Sequence, residues 1–267
     1  MKEAVSRLIK SSYFIKRYSQ HAMVDCKLGM AFLKAAKELN VRNAMELGAG
    51  AGLLTKFLTP VVNHLIAVEI DVRLAKYLTT IVEDHSNVSV ILGDGLHLLK
   101  SCALKVDAII SNTPYSITGP LIASIVKSNV RYGILTLQKE VADRLVSSAG
   151  SSNYGRITAF TNIYMKPKIL SIFSPDSFYP RPKVWSALLV LERVRSWSSE
   201  ESILEELIKC LFNQRKRKAA KVLGKCVEDL NLSLEGLNLV KDKLKDLRVF
   251  ELSPNDIYEI FMNLVAR

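Results

Sequence analysis

Asn43-Ala44-Met45-Glu46-Leu47-Gly48-Ala49-Gly50-Ala51-Gly52 is the stretch on which the fold turns. Its first five residues are short and mostly apolar, as a buried strand is. Its second half sets glycine at every other position, and a helix is expected from near Gly52 to about Leu58. Strand, glycine loop and helix in that order open an α/β sheet. Glycines let the backbone approach a ligand closely and free a helix N-terminus. The spacing is G-x-G-x-G. It departs from the dinucleotide fingerprint, because Leu53 stands where the third glycine belongs. Taken alone, such a loop serves a tight turn as readily as a ligand.

The pattern continues on both sides. Upstream, Leu28 to Leu39 has helical spacing, and the stretch before Asp25 mixes basic and aromatic residues (Tyr13, Phe14, Lys16, Arg17, Tyr18) as a basic arm. Downstream, strands are expected at His64 to Ile70, Val88 to Leu92, Val106 to Ser111 and Tyr132 to Leu137. Helices at Val72 to Asp84, Pro120 to Lys127 and Glu140 to Ser147 separate them. That alternation predicts a mostly parallel sheet covered on both faces. After a Ser/Gly-rich loop and a helix from Arg156 to about Met165, Lys168 to Phe173 and Trp185 to Leu191 follow without a helix between them. They read as an antiparallel hairpin at the sheet edge. Arg195 to Glu201 reads as a linker. Beyond it Ile203 to Phe212, Arg217 to Val227 and Pro254 to Val265 are helical. The expected organisation is an α/β domain over residues 1–194 and a small all-α domain over residues 202–267.

Three strand ends carry groups suited to a ligand. Glu69 closes the second strand about 20 residues after the glycine loop, where an acid can take ribose hydroxyls. Asp94 follows Gly93 at the next strand end, where it can accept from an adenine amine. Asn112-Thr113-Pro114-Tyr115 ends the fourth strand with an amide, a proline and an aromatic ring. Each alone also fits an ordinary turn. Together they point to an adenosine-type cofactor. The loop has no Walker lysine, which disfavours ATP hydrolysis. S-adenosylmethionine fits, having adenine, ribose and a charged amino acid but no phosphate.

With these motifs in order the chain resembles the ribosomal RNA adenine N6-dimethyltransferase family, in its archaeal-type branch. Ser19-Gln20-His21, Val24-Asp25, Gln138-Lys139-Glu140, Tyr154-Gly155-Arg156 and Phe178-Tyr179-Pro180-Arg181-Pro182-Lys183-Val184 add to the resemblance. It is strong over residues 18 to 193 and looser through Phe212 to Lys218 and Arg248 to Pro254. It implies a Rossmann-like methyltransferase sheet. It also implies methyl transfer from S-adenosylmethionine to the exocyclic amines of two adjacent adenosines near the 3′ end of small-subunit rRNA, during ribosome biogenesis. By the same resemblance Gln20, His21, Met23, Gly48, Gly50, Glu69, Ile70, Asp94, Gly95 and Asn112 hold the cofactor. Asn112, Thr113, Pro114, Tyr115 and Phe178 form the catalytic set, with Tyr115 stacking on the target base and Phe178 as its second face. The chain departs from the family pattern at Ser19, Ala22, Met23 and Thr113, and Thr113 acts through its backbone carbonyl.

The 267 residues carry a net charge of +11, which favours a polyanionic partner. Arg215, Lys216, Arg217 and Lys218 are the densest basic run, and Arg181 and Lys183 lie beside Phe178. These are the expected RNA contacts, although such runs are also common on plain solvated faces. The expected partner is small-subunit rRNA within a partly assembled subunit, bound by a cytoplasmic monomer. No apolar stretch is long enough for a membrane span, and residues 1–7 lack a signal peptide's apolar block. Cys26, Cys102, Cys210 and Cys226 show no Cys-x-x-Cys spacing and read as reduced thiols, neither a disulfide frame nor a zinc site. No metal is expected. Competing readings are a large-subunit adenine methylase, a DNA adenine methylase, and a non-catalytic RNA-binding assembly factor. The last should have lost its cofactor or target motifs, yet Glu69, Asp94, Asn112 and Tyr115 are all present.

Overall fold

The computed structural model describes residues 21–101 and 105–265. Gln20, the basic arm and Cys102 lie outside them. In chain order the strands are β1 (Ala22–Met23), β2 (Asn43–Leu47), β3 (His64–Glu69), β4 (Val88–Leu92), β5 (Ala108–Asn112), β6 (Tyr132–Gln138), β7 (Met165–Phe173), β8 (Phe178–Tyr179) and β9 (Ser186–Arg193). The helices are α1 (Cys26–Glu38), α2 (Thr55–Leu58), α3 (Val72–Val82), α4 (Gly95–Ser101), α5 (Thr118–Lys127), α6 (Lys139–Leu145), α7 (Arg156–Tyr164), α8 (Ser202–Asn213), α9 (Ala219–Asp229), α10 (Leu234–Lys241) and α11 (Pro254–Val265).

Seven strands form one sheet in the order β4-β3-β2-β5-β6-β9-β7. The pairs from β4 through to β6 are parallel, and β9 runs antiparallel to β6. The central strands are almost wholly buried, with only Asn43 of β2, Asn112 of β5 and Gln138 of β6 partly exposed. Helices on both faces bury them, which is why their sequences read as continuous apolar runs. β7 differs. Its burial alternates along its length, as on a strand with one wet face. Lys166, Pro167 and Lys168 stand in this edge strand, which discourages further strand pairing. β1 and β8 form a separate two-stranded sheet that the sequence patterning did not predict.

The strand order reverses between β2 and β5. From β2 the chain builds outward through β3 and β4, then returns to place β5 and β6 on the other side. Such a reversal opens a crevice at the carboxyl ends of the two strands, where α/β folds bind ligands. Leu47 and Asn112 are the last residues of those strands, so the glycine loop and the Asn112 turn emerge side by side.

Contacts divide the chain into two compact units. One runs to Ala142 and includes Pro167–Arg193; the other comprises Asp143–Lys166 and Val194–Arg267. The second unit is helical, and α7 packs within it on α8 and α11. Tyr154 and Tyr164 are fully buried there, and burial raises both phenols well above their ordinary range. The guanidinium of Arg215 donates to the carbonyls of Tyr154 and Ser152.

Two expectations need correction here. The helix expected from Arg217 starts at Ala219. Residues 215 to 218 form a turn, tied by a Lys218–Arg248 bridge and by Arg248 donating to the Lys216 carbonyl. Cys210 and Cys226 are not reduced thiols; they form a disulfide between α8 and α9 with Cα atoms 5.9 Å apart. Packing of two consecutive helices against each other brings them together, and no Cys-x-x-Cys spacing is needed for that. Cys26 is a free, exposed thiol.

Candidate functional site

A cavity of about 250 Å³ opens at the sheet reversal. The glycine loop forms its floor. Gly48 and Gly50 have φ of +73° and +59°, a backbone region that residues with a Cβ rarely enter. A Cβ on Gly48 would also lie 3.9 Å from Pro114, where the Asn112 turn passes over the loop. His21, Ala22 and Met23 form a further wall of the cavity.

Glu69 closes β3 on the cavity wall and is only 4% exposed. The Gly50 amide donates to one of its oxygens at 2.6 Å, and the Asp71 amide to the other at 2.8 Å. Burial raises its carboxyl above the ordinary value, and these amides oppose the rise. Each carboxylate oxygen retains a lone pair for a ligand hydroxyl. Asp94 caps α4, accepting from the Leu96 and His97 amides at 2.8 and 3.3 Å through one oxygen. Ile70, Asp94 and Gly95 line the same cavity.

Glu46, the fourth residue of β2, also lines it. It is 1% exposed and accepts from the Thr55 hydroxyl at 2.7 Å. Burial pushes its carboxyl up to about 8, the Thr55 bond pulls it down, and the nearby Glu69 charge adds to the rise. It is therefore mostly protonated at neutral pH.

Asn112 reaches the cavity from the end of β5. Its amide nitrogen donates to the His21 carbonyl at 2.8 Å, which fixes its side-chain oxygen as the acceptor end. The Thr136 hydroxyl donates to that oxygen at 2.7 Å and itself accepts from the Thr113 amide at 3.2 Å. Thr136 lies opposite Asn112 on β6. The sequence gave no sign of this role, because one threonine within an apolar strand looks like ordinary strand filling. Thr113 is 3% exposed, with its hydroxyl turned back to the Ser111 carbonyl.

Tyr115 follows on a short 3-10 turn. Its hydroxyl meets Ser186 Oγ at 2.6 Å, and its ring centroid is 5.5 Å from that of His21. Burial raises its phenol, partly offset by Ser186, so Tyr115 presents a neutral ring and not a base. The His21 ring in turn bonds the Pro180 carbonyl through Nδ1.

His21, Met23, Gly48, Gly50, Glu69, Ile70, Asp94, Gly95, Asn112 and Pro114 thus line one cavity. Thr113 and Tyr115 border it without lining it. Phe178 is 4% exposed and packs in the hydrophobic core with Met23, its partner across the β1–β8 pair. Of the basic residues, Arg181 pairs with Asp176 at 3.1 Å on an exposed surface, and Lys183 is exposed. Lys218 pairs with Asp246, while Lys216 and Arg217 are exposed.

The cavity suits S-adenosylmethionine. It offers acids to a ligand bearing ribose hydroxyls, an adenine amine and net positive charge, and a glycine floor with no side chain in the way. Comparisons with known proteins identify the family. A family described as ribosomal RNA adenine dimethylase matches residues 12–261. A probable ribosomal RNA small subunit methyltransferase A of Aeropyrum pernix is 34% identical over 203 residues, covering 74% of this chain and 72% of the relative. One from Methanothermobacter thermautotrophicus is 31% identical over 249 residues, covering 90% and 87%. Among solved structures, a dimethyladenosine transferase from Plasmodium falciparum superposes with a TM-score of 0.79. It is 23% identical and covers 91% of this chain and 96% of its own, a likeness of fold.

Proposed function

Because the chain belongs to the ribosomal RNA adenine dimethylase family, we propose that it dimethylates two adjacent adenosines near the 3′ end of small-subunit rRNA. The observation that carries this reading is the meeting of two sets of groups at one sheet reversal. The glycine loop, Glu69 and Asp94 form the cavity wall, and Asn112 reaches into it from the neighbouring strand.

Glu69 would hold the ribose of S-adenosylmethionine, Asp94 its adenine amine, and Gly48 its amino-acid end, with His21 and Met23 closing over it. Bound there, the cofactor supplies an electrophilic methyl group. The chain's own residues prepare the base. An adenine flipped from its stack enters beside Asn112. Its exocyclic nitrogen is a poor nucleophile while its lone pair is delocalised into the ring. Asn112 Oδ1 keeps a lone pair beyond the one that Thr136 uses, and accepts one N–H of the amine. The Thr113 carbonyl accepts the other. Both bonds draw the lone pair out of conjugation. Tyr115 fixes the plane of the base and tolerates the positive charge that develops.

The substrate is rRNA, proposed to be met within a partly assembled small subunit by a monomer in the cytoplasm. Among the described residues, no helix is long and apolar enough to cross a membrane. Incubation with undermethylated small subunits and labelled cofactor, followed by mass spectrometry of the rRNA, should show two dimethyladenosines. Asn112→Ala should lose this activity while keeping its circular dichroism spectrum. Wild-type turnover by that variant would refute the assignment.

A further inference from the structure

We propose that Trp185 stacks on a nucleotide next to the target adenine, making the 179–185 loop a single-stranded RNA platform; this rests on the function proposed above. Trp185 is 53% exposed, an unusual state for so large an apolar side chain. Its place is set by its neighbours. Its carbonyl accepts from the Lys139 amide at 2.8 Å, just beyond the carboxyl end of β6. The next residue, Ser186, holds the Tyr115 hydroxyl. Trp185 therefore stands at the sheet edge from which Asn112 and Tyr115 emerge.

The loop's other end is fixed as closely. Tyr179 pairs with Ala22, which lines the cavity, and the Pro180 carbonyl bonds the His21 ring. The loop thus runs along the mouth from the His21 side to the Tyr115 side. Tyr179 is 37% exposed at one end and Trp185 is exposed at the other, with the cations Arg181 and Lys183 between them. Exposed rings interleaved with positive charge are how proteins grip single-stranded nucleic acid, rings taking base faces and cations the phosphates. An extruded adenine draws its flanking nucleotides across this rim. An apolar protein partner would have no use for Lys183, and although Arg181 also pairs with Asp176, the net charge of +11 favours a polyanion.

The chain has two tryptophans, so a Trp197→Phe background leaves Trp185 as the sole indole. Titration of that protein with an unstructured oligoribonucleotide should quench its emission. In the wild-type background Trp185→Ala should raise the KM for RNA about tenfold or more. The KM for S-adenosylmethionine should not change, and Trp185→Phe should retain most of the RNA affinity. Absence of quenching together with an unchanged RNA KM would overturn the proposal. So would a defect seen only on subunits containing proteins and not on naked RNA, which would mark Trp185 as a protein contact. If the wild-type chain methylates no rRNA, the proposed function fails, and the quenching titration still decides the stacking.

Discussion

Replacing Thr136 with valine tests whether Asn112 acts through a fixed orientation. Valine keeps the shape and the strand preference of threonine and removes only the hydroxyl. Thr136 is 1% exposed, and its hydroxyl makes two bonds, one accepted from the Thr113 amide and one donated to Asn112 Oδ1. Without it the Thr113 N–H is buried with no acceptor, at a cost of about 1–3 kcal/mol. Loss of the second bond removes roughly 1 kcal/mol and leaves the Asn112 amide held only by the His21 carbonyl. Urea unfolding should show Thr136→Val less stable by about 2–4 kcal/mol. A looser acceptor worth roughly 1 kcal/mol at the transition state lowers kcat about fivefold. Thr136→Ser retains the hydroxyl and should recover most of both losses. The assay is kcat and KM on undermethylated subunits for all three proteins. A destabilised Thr136→Val with unchanged kcat would show that the orientation of Asn112 does not govern the rate. A serine variant as slow as the valine one would show that the hydroxyl is not the cause.

Glu46 should give stability a pH dependence. Its carboxyl is raised from 4.5 to about 8 in the folded chain, so between those values the native state holds a proton that the unfolded state has released. Its contribution is greatest below pH 4.5, falls by roughly 1 kcal/mol per pH unit as pH rises toward 8, and then levels off. Glu46→Gln should flatten this part of the profile, and identical slopes in the two proteins would rule out a protonated Glu46. The Cys210–Cys226 bond closes a loop of 16 residues, for which chain entropy gives about 3 kcal/mol. Cys210→Ala/Cys226→Ala, or a reductant acting on the wild type, should lower stability by about that amount. A wild-type urea curve indifferent to reductant, or free thiols at both positions in unreduced protein, would contradict the pairing.

The sheet was legible because its central strands are buried on both faces and carry unbroken apolar runs. The strand ends were legible for a related reason, since Glu69, Asp94 and Asn112 each interrupt such a run with a group the core would not otherwise accept. What the sequence hid depends on register or on distant partners. Thr136 gains meaning only because β6 pairs with β5 so as to set it opposite Asn112. α4 spans only Gly95–Ser101, too short for helical periodicity to emerge. α9 starts later than its sequence suggests because helix-favouring Arg217 and Lys218 are held in a turn about 30 residues from their partners, the Arg217 carbonyl accepting from the Val249 amide and Lys218 bridging to Arg248. Cys210 and Cys226 meet through the packing of α9 on α8, which spacing along the chain does not encode.

The bond from the Asn112 nitrogen to the His21 carbonyl couples two surfaces usually treated as separate. The nitrogen of that amide holds the His21–Met23 segment, which lines the cavity, and in the mechanism proposed above its oxygen would face the target base. Whatever seats that segment also restrains the amide, and by thermodynamic reciprocity whatever engages the amide tightens the segment. Under the proposed function, methyl donor and methyl acceptor would sense each other through one planar group.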